Sequence, residues 1–206
     1  MGALCLVIER LTGIRGGRVL FRDLNLRVAA GQVLSLEGAN GVGKTSLLRM
    51  IAGFIAPAAG SITLSSSDLV IDEAEERARR IGWLGHHDAA KPQLTPREVL
   101  SFFASLYGSG GDIGAALAAV GLAPVADLPC QYLSAGQKKR LALARLKLSG
   151  RPVWLLDEPL ASLDAEGKKR CGDILAAHAL YGGIAIAATH EPLGIACERL
   201  VLGVGA

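Results

Sequence analysis

The chain predicts an α/β fold, on three observations. Short apolar runs at Val33–Leu36, Val153–Leu156 and Ile184–Ala188 alternate with longer amphipathic or charged stretches, the pattern of a central sheet flanked by helices. A glycine-rich turn joins the first of these runs to a helical segment from Lys44 to Gly53. Half of the residues are hydrophobic, as strands buried on both faces require. At 206 residues there is enough chain for one sizeable core and too little for two full domains.

Taken in order, residues 4–8 and about 18–28 read as strands. In the second, Leu24, Leu26 and Val28 alternate with Asn25 and Arg27, the period of a half-buried antiparallel strand. Residues 29–32 turn into the Val33–Leu36 strand, and the amphipathic helix follows from Lys44. Residues 53–60 contain Pro57 and read as a loop, 61–64 as a strand, 72–80 as a charged helical patch, and Ile81–Leu84 as a strand. From about 88 to 150 the character changes. Thr95, Pro96 and Glu98 are cap, first-turn proline and capping-box acid, and helical periodicity runs through Val99, Phe102, Phe103 and Leu106 and again over the alanine-rich 113–120. This stretch predicts an inserted helical subdomain without a strand. Strand Val153–Leu156, a charged helix near 165–180, strand Ile184–Ala188 and a short strand at 200–202 complete the pattern. There is no internal repeat.

Composition narrows the function. The net charge is +3, and no Lys/Arg stripe interleaved with aromatics suggests nucleic acid. No apolar run reaches the ~18–20 residues that span a bilayer. The start, through Glu9 and Arg10, reaches charge too early for a signal peptide and reads as a strand; Leu6 argues against myristoylation. Cys5, Cys130, Cys171 and Cys197 are scattered with no C-x-x-C, as reduced thiols of a cytoplasmic protein would be. A chain of this kind acting at a membrane must be held there by partners.

Gly38-Ala39-Asn40-Gly41-Val42-Gly43-Lys44-Thr45-Ser46 fits G-x-x-x-x-G-K-[ST], with a strand before and a helix after as the motif requires. Glycines let backbone N–H groups approach phosphate oxygens, and the helix start adds partial positive charge. Lys44 is placed to reach the β/γ-phosphates and Thr45 to ligate Mg²⁺. Val153-Trp154-Leu155-Leu156-Asp157-Glu158 is a buried strand ending in two carboxylates. Phosphoryl transfer needs one such group to hold Mg²⁺ and one to position or deprotonate water: Asp157 suits the first role and Glu158 the second. Alone, the pair could equally be a solvated strand end. Leu133-Ser134-Ala135-Gly136-Gln137 opens a strongly helical run, a second helix start able to face an anion; spacing leaves open which nucleotide it would face.

These segments, with Ser162-Leu163-Asp164 and Thr189-His190, stand in the order and approximate spacing of ABC-type ATPase domains, which the chain resembles over its length. The resemblance implies a P-loop NTPase fold with a mixed central sheet, an antiparallel β subdomain and an inserted α-helical subdomain, as one domain over 1–206 with the insert at about 88–150. It implies ATP and Mg²⁺ as ligands. It also implies a head-to-tail dimer, in which Ser134, Gly136 and Gln137 of one protomer cap the nucleotide on the other's P-loop. Asp164 would couple the two sites, and His190 would bond the γ-phosphate and orient water. The family's glutamine after the strand preceding the insert is replaced here by His87, an imidazole that could bond a water or approach Mg²⁺ but is shorter and titratable. Its adenine-stacking aromatic is replaced by Arg15, before Gly16-Gly17. A guanidinium can stack on a base; simple exposure is the other reading.

Two outputs are open to such an ATPase: a transporter subunit, or a non-transport member acting on ribosomes or DNA. Members of the second kind usually carry fused halves, coiled coils or zinc modules, absent here. Among transporters, Gly82-Trp83-Leu84-Gly85-His86, the Tyr132–Leu146 run and Trp154–Asp164 resemble the ATP-binding subunits of the bacterial heme exporter of cytochrome c maturation. That implies polytopic membrane subunits as partners, a heme-chaperone system indirectly, and a peripheral position on the cytoplasmic face of the inner membrane; another ABC exporter is the alternative.

Overall fold

The structure is a computed structural model describing residues 4–66, 69–85, 90–108 and 110–203. Its first strands are β1 (Cys5–Arg15) and β2 (Arg18–Ala29), longer than the sequence suggested because a two-residue turn at Gly16 and Gly17 carries β1 straight into β2. Both glycines have positive φ, 56° and 75°, which that tight turn requires. With β4 (Ala59–Ser66) and β5 (Leu69–Ile71) they form an antiparallel sheet in the order β2-β1-β4-β5. The three-residue β5 was not foreseen, since its Leu69-Val70-Ile71 run shows no alternation.

A second sheet contains β3 (Val33–Glu37), β6 (Ile81–Leu84), β7 (Val153–Asp157), β8 (Ile184–Ala188) and β9 (Glu198–Val201), ordered β6-β7-β8-β3-β9 and parallel in every described pair. The expected antiparallel β subdomain is thus the first sheet, beside a central sheet whose described pairs are all parallel. Helices α1 (Lys44–Ile51), α2 (Ala74–Ala78), α3 (Pro96–Tyr107), α4 (Ile113–Ala119), α5 (Ala135–Leu148) and α6 (Ala165–Leu180) complete the fold, with short 3₁₀ turns at Ala123–Val125 and Cys130–Tyr132. The described part of the insert contains no strand, as expected, and Thr95 and Glu98 form the predicted capping box at α3.

The parallel sheet separates two apolar cores, and strand alternation decides which residue enters which. Val153 and Leu155 of β7 pack with α1 and the antiparallel sheet, while Trp154 and Leu156 face the core of α3–α6. Because β7 and β8 are buried at all five positions each, neither shows a period of two in sequence.

Candidate nucleotide-binding site

Strand register brings the polar segments together. Leu36 of β3 and Asp157 of β7 both pair with Ala188 of β8. The three strands therefore end level, and the chain leaves each at the carboxyl edge of the sheet, where α/β folds place ligands. Beyond it, the Thr189 N–H donates to Leu36 O (3.2 Å) and the Glu158 N–H to Ala188 O (2.9 Å). Glu158 has φ 50°, a left-handed conformation that costs a non-glycine residue of order 1 kcal/mol or more; it bends the chain sharply off β7 at the carboxylate.

Lys44 is 7% exposed and reaches back over its loop, donating from Nζ to Gly38 O (2.7 Å) and Ala39 O (3.2 Å). The same Nζ lies 3.2 Å from His190 Nε2, which lies 3.3 Å from Glu158 Oε1. One imidazole nitrogen thus stands between an ammonium and a carboxylate, able to accept from the first or donate to the second according to its tautomer. Thr45 Oγ1 sits 3.0 Å from both Asp157 carboxylate oxygens. This compact set of hard oxygen donors fits Mg²⁺, which takes one or two protein oxygens and completes its shell with phosphate and water.

Gly43 shows why the loop cannot carry side chains throughout. Its φ is 120°, and a Cβ there would come within 3.1 Å of Leu20 and 3.3 Å of Phe21, so β2 is seated directly against the loop. A cavity of about 420 Å³ opens over these groups, lined by Lys44, Thr45, Asp157, Glu158 and His190 on one side and by Arg15, Leu20 and Arg49 on another. Asn40, Gly41, Gly43 and Ser46 complete its wall. Arg49 and Leu20 were missed by the sequence reading. The signal for Arg49 was available: it lies four residues after Thr45 and three after Ser46, on one helical face.

Ser134, Gly136, Gln137 and Asp164 do not line this cavity. Ser134 and Gln137 cap α5 reciprocally, Gln137 N–H to Ser134 Oγ at 3.2 Å and Ser134 N–H to Gln137 Oε1 at 2.8 Å. Asp164 caps α6, accepting from the Gly167 N–H at 2.7 Å. A Cβ on Gly136 would meet Ser162 O at 2.6 Å, so the start of α5 and the loop after β7 are packed backbone to backbone. His87 lies outside the described residues.

Comparison with known proteins agrees with this arrangement. Residues 21–161 match the ABC transporter family model. The chain is 48% identical over 194 residues to the cytochrome c biogenesis ATP-binding export protein CcmA of Rhodopseudomonas palustris (strain BisB5), covering 94% of this chain and 95% of that protein. It is 49% identical over 192 residues to the protein of the same description from Nitrobacter winogradskyi, covering 92% and 94%. In fold it superimposes on an ABC transporter ATP-binding protein from Pyrococcus furiosus with a TM-score of 0.83 at 22% identity, over 96% of this chain and 97% of that one. No described helix is long and apolar enough to cross a membrane. With a family model matched over most of its length and relatives of this closeness, the chain belongs to the ABC transporter family of ATP-hydrolysing subunits, among the CcmA proteins.

Proposed function

We propose that the chain powers the heme exporter of cytochrome c biogenesis, binding ATP in the cavity at the sheet edge and hydrolysing it within a dimer. The observation that carries the reading is the contact chain Lys44–His190–Glu158 beside Thr45–Asp157. A cation, a carboxylate suited to act as general base and a carboxylate suited to hold a metal line one cavity, which supports this reading. The backbone N–H groups from Gly41 to Thr45 and the Lys44 ammonium hold the β- and γ-phosphates. Thr45 and Asp157 would hold Mg²⁺, which when bound neutralises charge building between those phosphates. Glu158 accepts the proton of the attacking water, and His190, in reach of both Lys44 and Glu158, fixes a γ-phosphate oxygen. The α5 end, with Ser134, Gly136 and Gln137, serves the nucleotide of a second copy of the chain, with Asp164 beside it.

The protein names of the relatives, cytochrome c biogenesis and export, motivate the transported cargo. In this reading the ATPase docks on polytopic membrane subunits at the cytoplasmic face of the inner membrane. Closure and opening of its dimer then drive heme export or release of a heme-loaded chaperone. The test is affinity purification of tagged Glu158→Gln protein from gently solubilised membranes, with ATP present. The expected result is an ATP-retaining dimer, hydrolysis slowed by about 100-fold or more for loss of the base, and co-purified polytopic subunits with a heme-chaperone system. A different permease would keep the ATPase and replace the cargo; ribosomes without membrane proteins would overturn the transport reading.

A further inference from the structure

We propose that a groove at the amino edge of the parallel sheet, opposite the nucleotide cavity, binds a small planar anion of the aromatic carboxylate class. Trp154, near the start of β7, pairs with Gly82 of β6 and Ala185 of β8, whereas Asp157 closes the same strand at the nucleotide cavity. Two cavities of about 400 and 280 Å³ lie over Trp154. Both are lined by Lys147, Trp154, His178 and Tyr181, so they are lobes of one groove between the ends of α5 and α6 and the sheet edge.

Three observations set the chemistry of the guest. Trp154 is 4% exposed, and its enclosed Nε1 has no hydrogen-bond acceptor among the described residues. An indole N–H only donates, and enclosed polar groups in folded proteins are nearly always paired, so an acceptor belongs in this groove. The wall is flat and apolar: Ile174 and Ala177 stand beside His178, whose ring stacks on Trp154 at 3.7 Å and 7°. That stack takes one face of the imidazole, and the exposed Tyr181 adds another ring, surfaces that suit an aromatic body. The charge left over is positive. Asp173 is paired with Lys169 at 2.9 Å and Arg170 with Glu166, but Lys147 is exposed and makes no ion pair among the described residues. Arg151 adds a second cation to the smaller lobe. A carboxylate on a flat ring supplies the acceptor and the counter-charge together. Lys147 and Tyr181 lie outside the core, so either side chain can swing aside to admit it to the indole N–H.

The two tryptophans of the chain, Trp83 and Trp154, each give one indole signal in a nitrogen–proton correlation spectrum, and Trp83→Phe assigns them. The probe is naphthoate, with naphthamide as the uncharged control and acetate as the ringless one. Naphthoate is expected to move the Trp154 signal saturably and leave that of Trp83 in place. Its Kd should be about 1 mM or tighter, the scale for a guest of about a dozen heavy atoms. Naphthamide should bind about fivefold more weakly, Lys147→Gln should weaken naphthoate by about three- to fivefold, and acetate should have no effect. Ala177→Phe, at an exposed position of the wall, should fill the larger lobe and weaken naphthoate by about tenfold. No saturable shift of Trp154 up to about 10 mM naphthoate would overturn the proposal. So would naphthamide binding as well as naphthoate, or a titration that Ala177→Phe leaves unchanged.

Discussion

Two helix starts in this molecule look alike in sequence and are finished in opposite ways. α1 follows Gly43 and has no side-chain cap; α5 follows Ser134 and carries a complete capping box with Gln137. Four backbone N–H groups are orphaned at any helix start. At α1 the nearby polar side chains bond elsewhere, Lys44 to carbonyls of its own loop and Thr45 to Asp157, so its first-turn N–H groups are free to take an anion. At α5 the chain caps its own helix end, Ser134 Oγ accepting from the Gln137 N–H. In the function proposed above, the difference would separate a site that binds phosphate by itself from a surface that contributes only when a second protomer presents one.

Lys44→Ala is the sharpest way to break that comparison. Removing the Lys44 ammonium from the loop should cut phosphate release by about 100-fold or more, as loss of a transition-state charge contact does. Far-ultraviolet circular dichroism should stay unchanged, because Lys44 Nζ bonds loop carbonyls and contacts the His190 side chain, and takes no part in a helix or strand hydrogen bond. Turnover within a few-fold of the parent would mean that α1 is not the phosphate end.

The far end of α1 sharpens the contrast further. There Arg77, 4% exposed, donates from Nε to Ile51 O (2.9 Å) and from Nη1 to Ile62 O (3.0 Å) and Asp72 O (2.8 Å). Burial pulls its pKa below the usual arginine range, with Asp72 opposing. One guanidinium thus ties α1 to β4 and to the segment before α2. Arg77→Ala leaves buried carbonyls without donors and should destabilise the chain by about 3 kcal/mol, read as a lower denaturation midpoint. Nucleotide affinity of the remaining folded protein should hold, and an affinity loss without a stability loss would contradict the division between the two ends.

Ser134→Ala is a smaller change. Loss of the cap should cost about 1 kcal/mol in thermal unfolding. Nucleotide binding by the isolated protomer should be unaltered, with a loss of hydrolysis only where dimers form. If this variant abolished binding by monomers as Lys44→Ala does, the two helix starts would not differ in kind.

These regions also differ in how far the sequence exposed them. The P-loop, the Asp157-Glu158 strand end and the α3 and α5 caps were legible because each is a local pattern whose chemistry depends on neighbours in the chain. What brings them to one edge was not legible. The level ending of β3, β7 and β8 is a matter of register between strands buried on both faces, and such strands carry no alternation to mark their pairing. Arg77 was hidden differently: within 72–80 it reads as one charge on an exposed patch, and only the carbonyls of Ile51 and Ile62, distant in sequence, reveal it as a buried tie. Arg49 was overlooked because the motif ends at Thr45 although the helix face continues.

The smallest effect concerns a third helix end. His178 lies in the last turn of α6, where the helix dipole ordinarily favours a charged imidazole. Here the ring is stacked on Trp154 at 3.7 Å and 7° between planes, and its Nε2 lies 3.2 Å from Ile184 O. Gly183 makes the arrangement possible, since a Cβ there would fall 2.3 Å from the ring. Burial pushes the His178 pKa down, while the carbonyls of Ile184 and Pro152 pull the other way; Lys147, Arg170 and Asp173 line the same face. The unfolded chain therefore takes up this proton at a higher pH than the folded one. The stabilisation is complete above the ordinary histidine pKa of about 6.5 and drains away as pH falls below it. His178→Phe keeps a flat ring against Trp154 and removes the titration. Its stability, measured by urea unfolding, should fall less steeply than the parent's from about pH 7 to 5. Identical slopes would show that His178 is not held neutral by the fold, and that the dipole at the end of α6 offsets its burial.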